Sequence, residues 1–212
     1  MVPLIKNKSF LRSSEGAIAS YSYQDIVNGF GYVSLYAMRT VYYNAGNNYV
    51  NLLSEQNNIS ESDYVEGDNA DVINFNSSPF NTPRTIKGVA FIEYNLAIND
   101  VYAGTAYAYA KFEIVKVSGV TETSLGYVNG FYCSVDGSGW YDQGQHISQI
   151  SLTETNFKIG DFVRLKITIT GRTSGAGDDL AIFCDPTDAA QTAPVATAHS
   201  RLKLDLPFKI DA

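Results

Sequence analysis

Arg201-Leu202-Lys203-Leu204-Asp205-Leu206-Pro207-Phe208-Lys209-Ile210 is the stretch on which the fold class turns. Leu202, Leu204, Leu206, Phe208 and Ile210 share one side of an extended chain, and Arg201, Lys203, Asp205 and Lys209 share the other. Side chains alternate across a strand with a period of two, so this stretch reads as a strand with one buried and one wet face. Pro207 lacks an N–H and falls on the outward set, which predicts an open edge there or bonding from the other residues alone.

The same alternation recurs upstream. In residues 161–170, Val163, Leu165, Ile167 and Ile169 point in while Arg164, Lys166, Thr168 and Thr170 point out. Residues 105–117 set Ala106, Ala108, Ala110, Phe112 and Ile114 against Tyr107, Tyr109, Lys111 and Glu113. A row of alanines opposite a row of tyrosines predicts close packing on one face and an aromatic outer surface. Residues 86–98 continue the theme through Ala90, Ile92, Tyr94, Leu96 and Ile98. Weaker strands are read at 17–26, 32–43, 49–53, 71–75, 125–135, 146–152 and 180–184. Turn chemistry separates them at Asn28-Gly29, Asn44-Ala45-Gly46, Asn99-Asp100, Asp136-Gly137-Ser138-Gly139 and Ser174-Gly175-Ala176-Gly177. One turn of helix is allowed near 148–156, and no segment sustains a 3.6-residue period. About eleven strands with no helical layer must bury their faces against one another. The expected fold is all-β, an antiparallel two-sheet sandwich of jelly-roll type. Residues 1–15 read as an extended arm and 16–212 as a single sandwich domain, with 54–69 a surface excursion.

Composition agrees with a β domain. Charged residues make up only 17% of the 212, below the usual share of about 25%. Asn, Ser, Thr, Gly and fifteen tyrosines take their place. A net charge of −7 argues against nucleic acid, which needs a cationic face. The acid is concentrated in Glu55, Glu61, Asp63, Glu66, Asp68 and Asp71, where no Lys or Arg intervenes, and reads as a solvated loop. No run approaches the roughly 20 apolar residues of a membrane span, and Met1 to Arg12 lacks the apolar run of a secretory signal. The expectations are synthesis in the cytoplasm and no membrane partner. Cys133 and Cys184 each sit in apolar, strand-like surroundings and read as buried thiols, with a cross-sheet disulfide as the alternative.

Chemistry-bearing motifs are few. His146 and His199 are the only histidines, and no Cys-x-x-Cys, His-Glu-x-x-His or Walker-type loop is present. Ser138 lacks a nucleophile-elbow surround, and a Ser/His/Asp set built on His199 has no motif behind it. Glu93 and Glu113, both outward on strands, are the pair that a glycosidase would need, but read as ordinary surface charge. Asp178, Asp179, Asp185 and Asp188 flank a short strand and form the one candidate calcium cluster. Trp140 and Tyr141 on a glycine-rich stretch are the candidate platform for stacking a sugar, with a plug at the end of the sandwich as the alternative for Trp140. No cofactor is expected.

Three further stretches carry a family resemblance. They are Ser9-Phe10 with Ser13-Ser14-Glu15-Gly16-Ala17-Ile18-Ala19-Ser20-Tyr21, then Phe80-Asn81-Thr82-Pro83-Arg84-Thr85-Ile86-Lys87-Gly88, and the ending Leu202 to Asp211. Together they resemble β-rich virion proteins of tailed bacteriophages, of the capsid decoration or cement kind. The resemblance implies a structural, non-enzymatic subunit made in the host cytoplasm and carried on the virion. It implies a homo-oligomer, such as a trimer, that binds the major capsid protein. Lys6, Lys8, Phe10 and Arg12 of the arm are then the expected capsid or subunit contacts. The alternative is a tail or fibre sandwich that binds cell-surface carbohydrate through Trp140 and Tyr141.

Overall fold

Tyr94 and Phe112 lie eighteen positions apart in one strand, yet their ring centroids are 4.5 Å apart. A straight strand rises about 3.3 Å per residue and would hold them roughly 60 Å apart, so this strand folds back over itself. The computed structural model describes residues 30–43, 47–55, 64–67, 70–172, 179–192 and 194–209. Ten strands are present among them: β1 (Phe30–Tyr43), β2 (Asn47–Ser54), β3 (Tyr64–Gly67), β4 (Val72–Ser77), β5 (Arg84–Ser118), β6 (Thr121–Asn129), β7 (Cys133–Phe157), β8 (Phe162–Arg172), β9 (Leu180–Phe183) and β10 (Lys203–Lys209). The described residues form no helix. The all-β expectation holds, and the helical turn near 148–156 is corrected to strand.

β5, at 35 residues, organises the rest. Along one edge it pairs with β7 and then β6, and along the other with β10, β9 and β8. Its ladder with β7 shifts register between Asp100 and Gly104, which breaks it into two legs. The Asn99-Asp100 turn read from sequence is therefore a bend inside one continuous strand. β7 likewise runs straight through the expected Asp136–Gly139 turn. A second shift lies opposite Leu96 and Ala97, where Gly144 takes a φ of 77° and donates its N–H to Asp142 at 2.8 Å. β3 falls within 54–69, read from sequence as an excursion.

The sheet follows the path β10-β1-β2-β4-β8-β5-β9-β3, and an added β10–β5 pairing closes it. The jelly-roll sandwich is thereby corrected to a barrel. Two open sheets leave four edges, whereas here β10 is bonded to β1 on one side and β5 on the other. Pro207 is accordingly not on an open edge. It sits where the β10–β5 register shifts between Asp205 and Phe208, at a bulge that needs no N–H.

The interior is one apolar cluster that includes Ile92, Tyr94, Phe112, Ile114, Leu165, Ile167 and Leu204. Ala106, Ala108 and Ala110 are buried as the sequence predicts, and Tyr107 stacks on Tyr132 outside them. The Tyr94 hydroxyl accepts from Phe131 N–H at 2.9 Å and bonds the Ser148 hydroxyl at 3.0 Å, so the polar end of a buried ring is satisfied. At Gly126 an added Cβ would stand 2.3 Å from the Ser151 carbonyl oxygen, which explains a glycine in a strand crossing so close to β7. Cys133 and Cys184 are both buried thiols, and burial pushes the Cys133 thiol up to about 12.

Candidate functional site

Among the described residues, the segment joining β9 to β10, within 184–202, carries most of the buried polar side chains. Asp185, Gln191, Thr197 and Ser200 lie in it, and Asn95 of β5 reaches it. A pleated core cannot satisfy such groups, and the segment bonds part of them internally, leaving Asp185 Oδ2, Asn95 Oδ1 and Gln191 Nε2 without a partner. The Asp185 carboxylate accepts from the Thr187 N–H and hydroxyl, both at 2.8 Å, making an Asx-type turn. Asp188 N–H then donates to the Asp185 carbonyl at 3.1 Å, and Asp188 takes a left-handed φ of 59°, which Asp tolerates better than most residues. Gln191 and Thr197 form an isolated antiparallel bridge, and the Asn95 amide donates to the Thr197 hydroxyl at 2.6 Å and the His199 carbonyl at 2.7 Å.

This frame aims the Asp188 carboxylate at the start of β10. It accepts from Ser200 N–H at 2.9 Å and Arg201 N–H at 3.1 Å, and it meets His199 Nδ1 at 3.4 Å. Burial would raise the Asp188 carboxyl. The Ser200 N–H, His199 and Arg201 outweigh it and hold the group below its ordinary range. Arg201 also reaches Glu93 at 2.6 Å, and Gln145 donates to the same Glu93 oxygen. For Arg201, burial would lower its value, and Glu93 and Asp188 raise it instead. The His199 side chain is half exposed, at 50%. The arrangement is a half-exposed imidazole held against a fixed carboxylate. That is the geometry of a proton acceptor with a positioning partner.

The other sequence candidates fall elsewhere. Glu93 and Glu113 do not act as a pair, since Glu93 belongs to Arg201 and Gln145 while Glu113 lies 3.8 Å from Lys111. Trp140 packs on Ala97, Ala181 and Phe183, as a plug would, and Tyr141 is exposed. Consecutive residues of β7 face opposite ways, so the two rings do not make one platform. His146 stacks on Phe131 with centroids 4.1 Å apart. Of the four aspartates, Asp185 and Asp188 share the turn just described, and Asp178 lies outside the described residues. So do Lys6, Lys8, Phe10 and Arg12. Among the described residues no group of three or more His, Cys, Asp or Glu side chains is placed to hold a metal. A depression of about 330 Å³ lined by Arg39, Asn51, Val65, Glu66 and Ile73 shares no residue with the Asp188–His199 site. Asp188 was named in sequence only as a calcium ligand, and Arg201 only as a strand charge. The separation of eleven positions between Asp188 and His199 hides their contact from any short motif.

No family model and no curated protein matches the chain. Solved structures do. An α-amino acid ester hydrolase matches with a TM-score of 0.52 and 10% identity, over 83% of this chain and 36% of its own. An aminopeptidase from a marine sediment archaeon, Thaumarchaeota archaeon, matches at 0.51 and 9%, over 86% and 37%. A CocE/NonD family hydrolase from Staphylococcus aureus matches at 0.48 and 11%, over 84% and 37%, a score that carries no argument. The chain thus spans little more than a third of the proteins it resembles. Likeness at this identity is a likeness of fold. The two neighbours with the higher scores, an ester hydrolase and an aminopeptidase, overturn the resemblance to phage decoration proteins. The expectations drawn from it, a structural virion subunit, its tail or fibre alternative and a non-enzymatic role, are corrected with it.

Proposed function

We propose that this chain is the barrel part of a hydrolase that cleaves ester or peptide bonds, with His199 as the proton acceptor. The observation that carries the reading is the half-exposed His199 imidazole with Nδ1 3.4 Å from a carboxylate that two backbone N–H groups hold in place. The hydrolase and aminopeptidase of similar fold supply the bond class. Asp188 holds the ring at Nδ1, which leaves Nε2 to take the proton, and Arg201 with Glu93 fixes Asp188. The nucleophile is water. Ser200, the neighbouring hydroxyl, is buried and donates to the Ala189 carbonyl at 2.5 Å. His199 Nε2 takes one proton from water as its oxygen bonds the acyl carbon. The acyl carbon to oxygen or nitrogen bond then breaks, and the departing group takes that proton from the imidazolium. A contact of 3.4 Å is long for a working hydrogen bond, and such contacts commonly tighten when substrate binds.

The test is hydrolysis of p-nitrophenyl acetate and of aminoacyl p-nitroanilides by the full chain and by His199→Ala and Asp188→Asn. General-base catalysis contributes about 10²–10⁴-fold, so His199→Ala should lose at least about 100-fold in kcat/KM with an unchanged circular dichroism spectrum. Turnover equal to buffer, or a His199→Ala protein as active as its parent, sinks the proposal.

A further inference from the structure

Asp185 is fully buried, and its second carboxylate oxygen, Oδ2, has no hydrogen-bond partner. No Lys, Arg or His lies within ion-pair distance of it among the described residues. Asn95, 1% exposed, has the same defect, with Oδ1 buried and unpartnered although its amide nitrogen makes two bonds. The two residues are tied to one dipeptide. Asp185 N–H donates to the Ser200 carbonyl at 2.8 Å, and the Asn95 amide donates to the His199 carbonyl at 2.7 Å.

The charge is unbalanced as well. Glu93, Asp185 and Asp188 bring three carboxylates to this segment against the single guanidinium of Arg201, which is already shared by Glu93 and Asp188. Lys203, next along β10, is paired with Asp205. A buried carboxylate with neither a cation nor full hydrogen bonding is among the costlier defects a fold can carry. Water would satisfy the bonds and leave the charge. A cation that prefers oxygen does both, and the donors that remain open are an anionic oxygen and a neutral amide oxygen, the set that hard divalent ions take.

We propose that Asp185 Oδ2 and Asn95 Oδ1 hold a calcium-type divalent cation that locks the β9–β10 segment onto β5. The site shares its frame with His199, and its test reads cation binding and stability rather than turnover. It is narrower than the acidic cluster legible in the sequence, because the Asp188 carboxylate already serves Ser200, His199 and Arg201.

The experiment is thermal unfolding of the full chain in chelator and in millimolar Ca²⁺, with Tb³⁺ luminescence as a second reading of binding. A ligand at about 100 times its Kd should raise the melting temperature of a domain this size by about 5 °C or more. Asp185→Asn should abolish both the shift and the Tb³⁺ signal, and Asn95→Ala should weaken them about tenfold or more. If the Asp185 variant does not fold, the parent's own Ca²⁺ shift and the Asn95→Ala series decide. No shift and no Tb³⁺ binding by the folded parent overturns the proposal. So does binding that survives Asp185→Asn unchanged.

Discussion

The barrel interior around Tyr94 and Phe112 and the segment from 184 to 202 are both buried, and they are held by different means. The first is apolar alternation carried across the two legs of β5, with one hydroxyl satisfied at its rim. The second is a set of carboxylates, amides and hydroxyls that bond one another beside a half-exposed imidazole. Apolar burial tolerates small misfits and gives strength in proportion to area. A polar network gives position, and fails group by group when a partner is lost. Strength sits in the barrel interior, and position sits around the His199 imidazole.

The contrast can be broken by mutation. Phe112→Ala should cost about 3–5 kcal/mol in urea unfolding, the largest effect, because it empties the contact between the β5 legs. Gly126→Ala should cost about 1–3 kcal/mol through strain rather than lost contact, since the new methyl meets backbone. Arg201→Ala should cost about 1–2 kcal/mol, the range of a partly exposed, charge-assisted bond. It should also lower hydrolysis more than stability. A loss as large as that of Phe112→Ala would place Arg201 among the supports of the barrel and erase the distinction.

A smaller effect depends on pH. The Lys158 N–H, then the Ser118 hydroxyl and Lys116, draw the Asp161 carboxyl from its ordinary 3.8 down to about 2. Its contribution is complete above the ordinary value and is lost as pH falls toward 2. Asp161→Asn should therefore flatten the acid limb of the melting-temperature profile in that window and leave the neutral limb parallel to the parent. Smallest of all, Ile147→Thr, on a side chain 69% exposed, should stay within about 0.5 kcal/mol.

The strands were legible wherever one face is apolar. β8 and β10 lie where alternation put them, and Ala106, Ala108 and Ala110 are buried as predicted. Closure was not legible. Asn99-Asp100 and Asp136–Gly139 have turn composition, and only long-range pairing decides whether such residues reverse a strand or bend it. β3 was hidden because four residues with one wet face give too little pattern. At the site, Asp185, Asp188 and Glu93 were visible as acids. Their pairing with Ser200, His199 and Arg201 was not, since these contacts are set by a turn at Asp185–Asp188 and by the return of β10 to β5. The decoration-protein resemblance rested on three short stretches, one of them outside the described residues, and none fixed a pairing.

The closing pairings also set a schedule. Phe30–Tyr36 of β1 meets Lys203–Lys209 of β10, nearly the whole chain away, and β10 in turn caps the first leg of β5. On a ribosome, residues 84–93 wait with one edge bare until more than a hundred further residues have been made. Loop closure over such spans is slow, and an uncovered apolar strand recruits other chains meanwhile. Yield on expression should therefore depend on chaperone supply and growth temperature more steeply than the stability of the finished barrel would suggest.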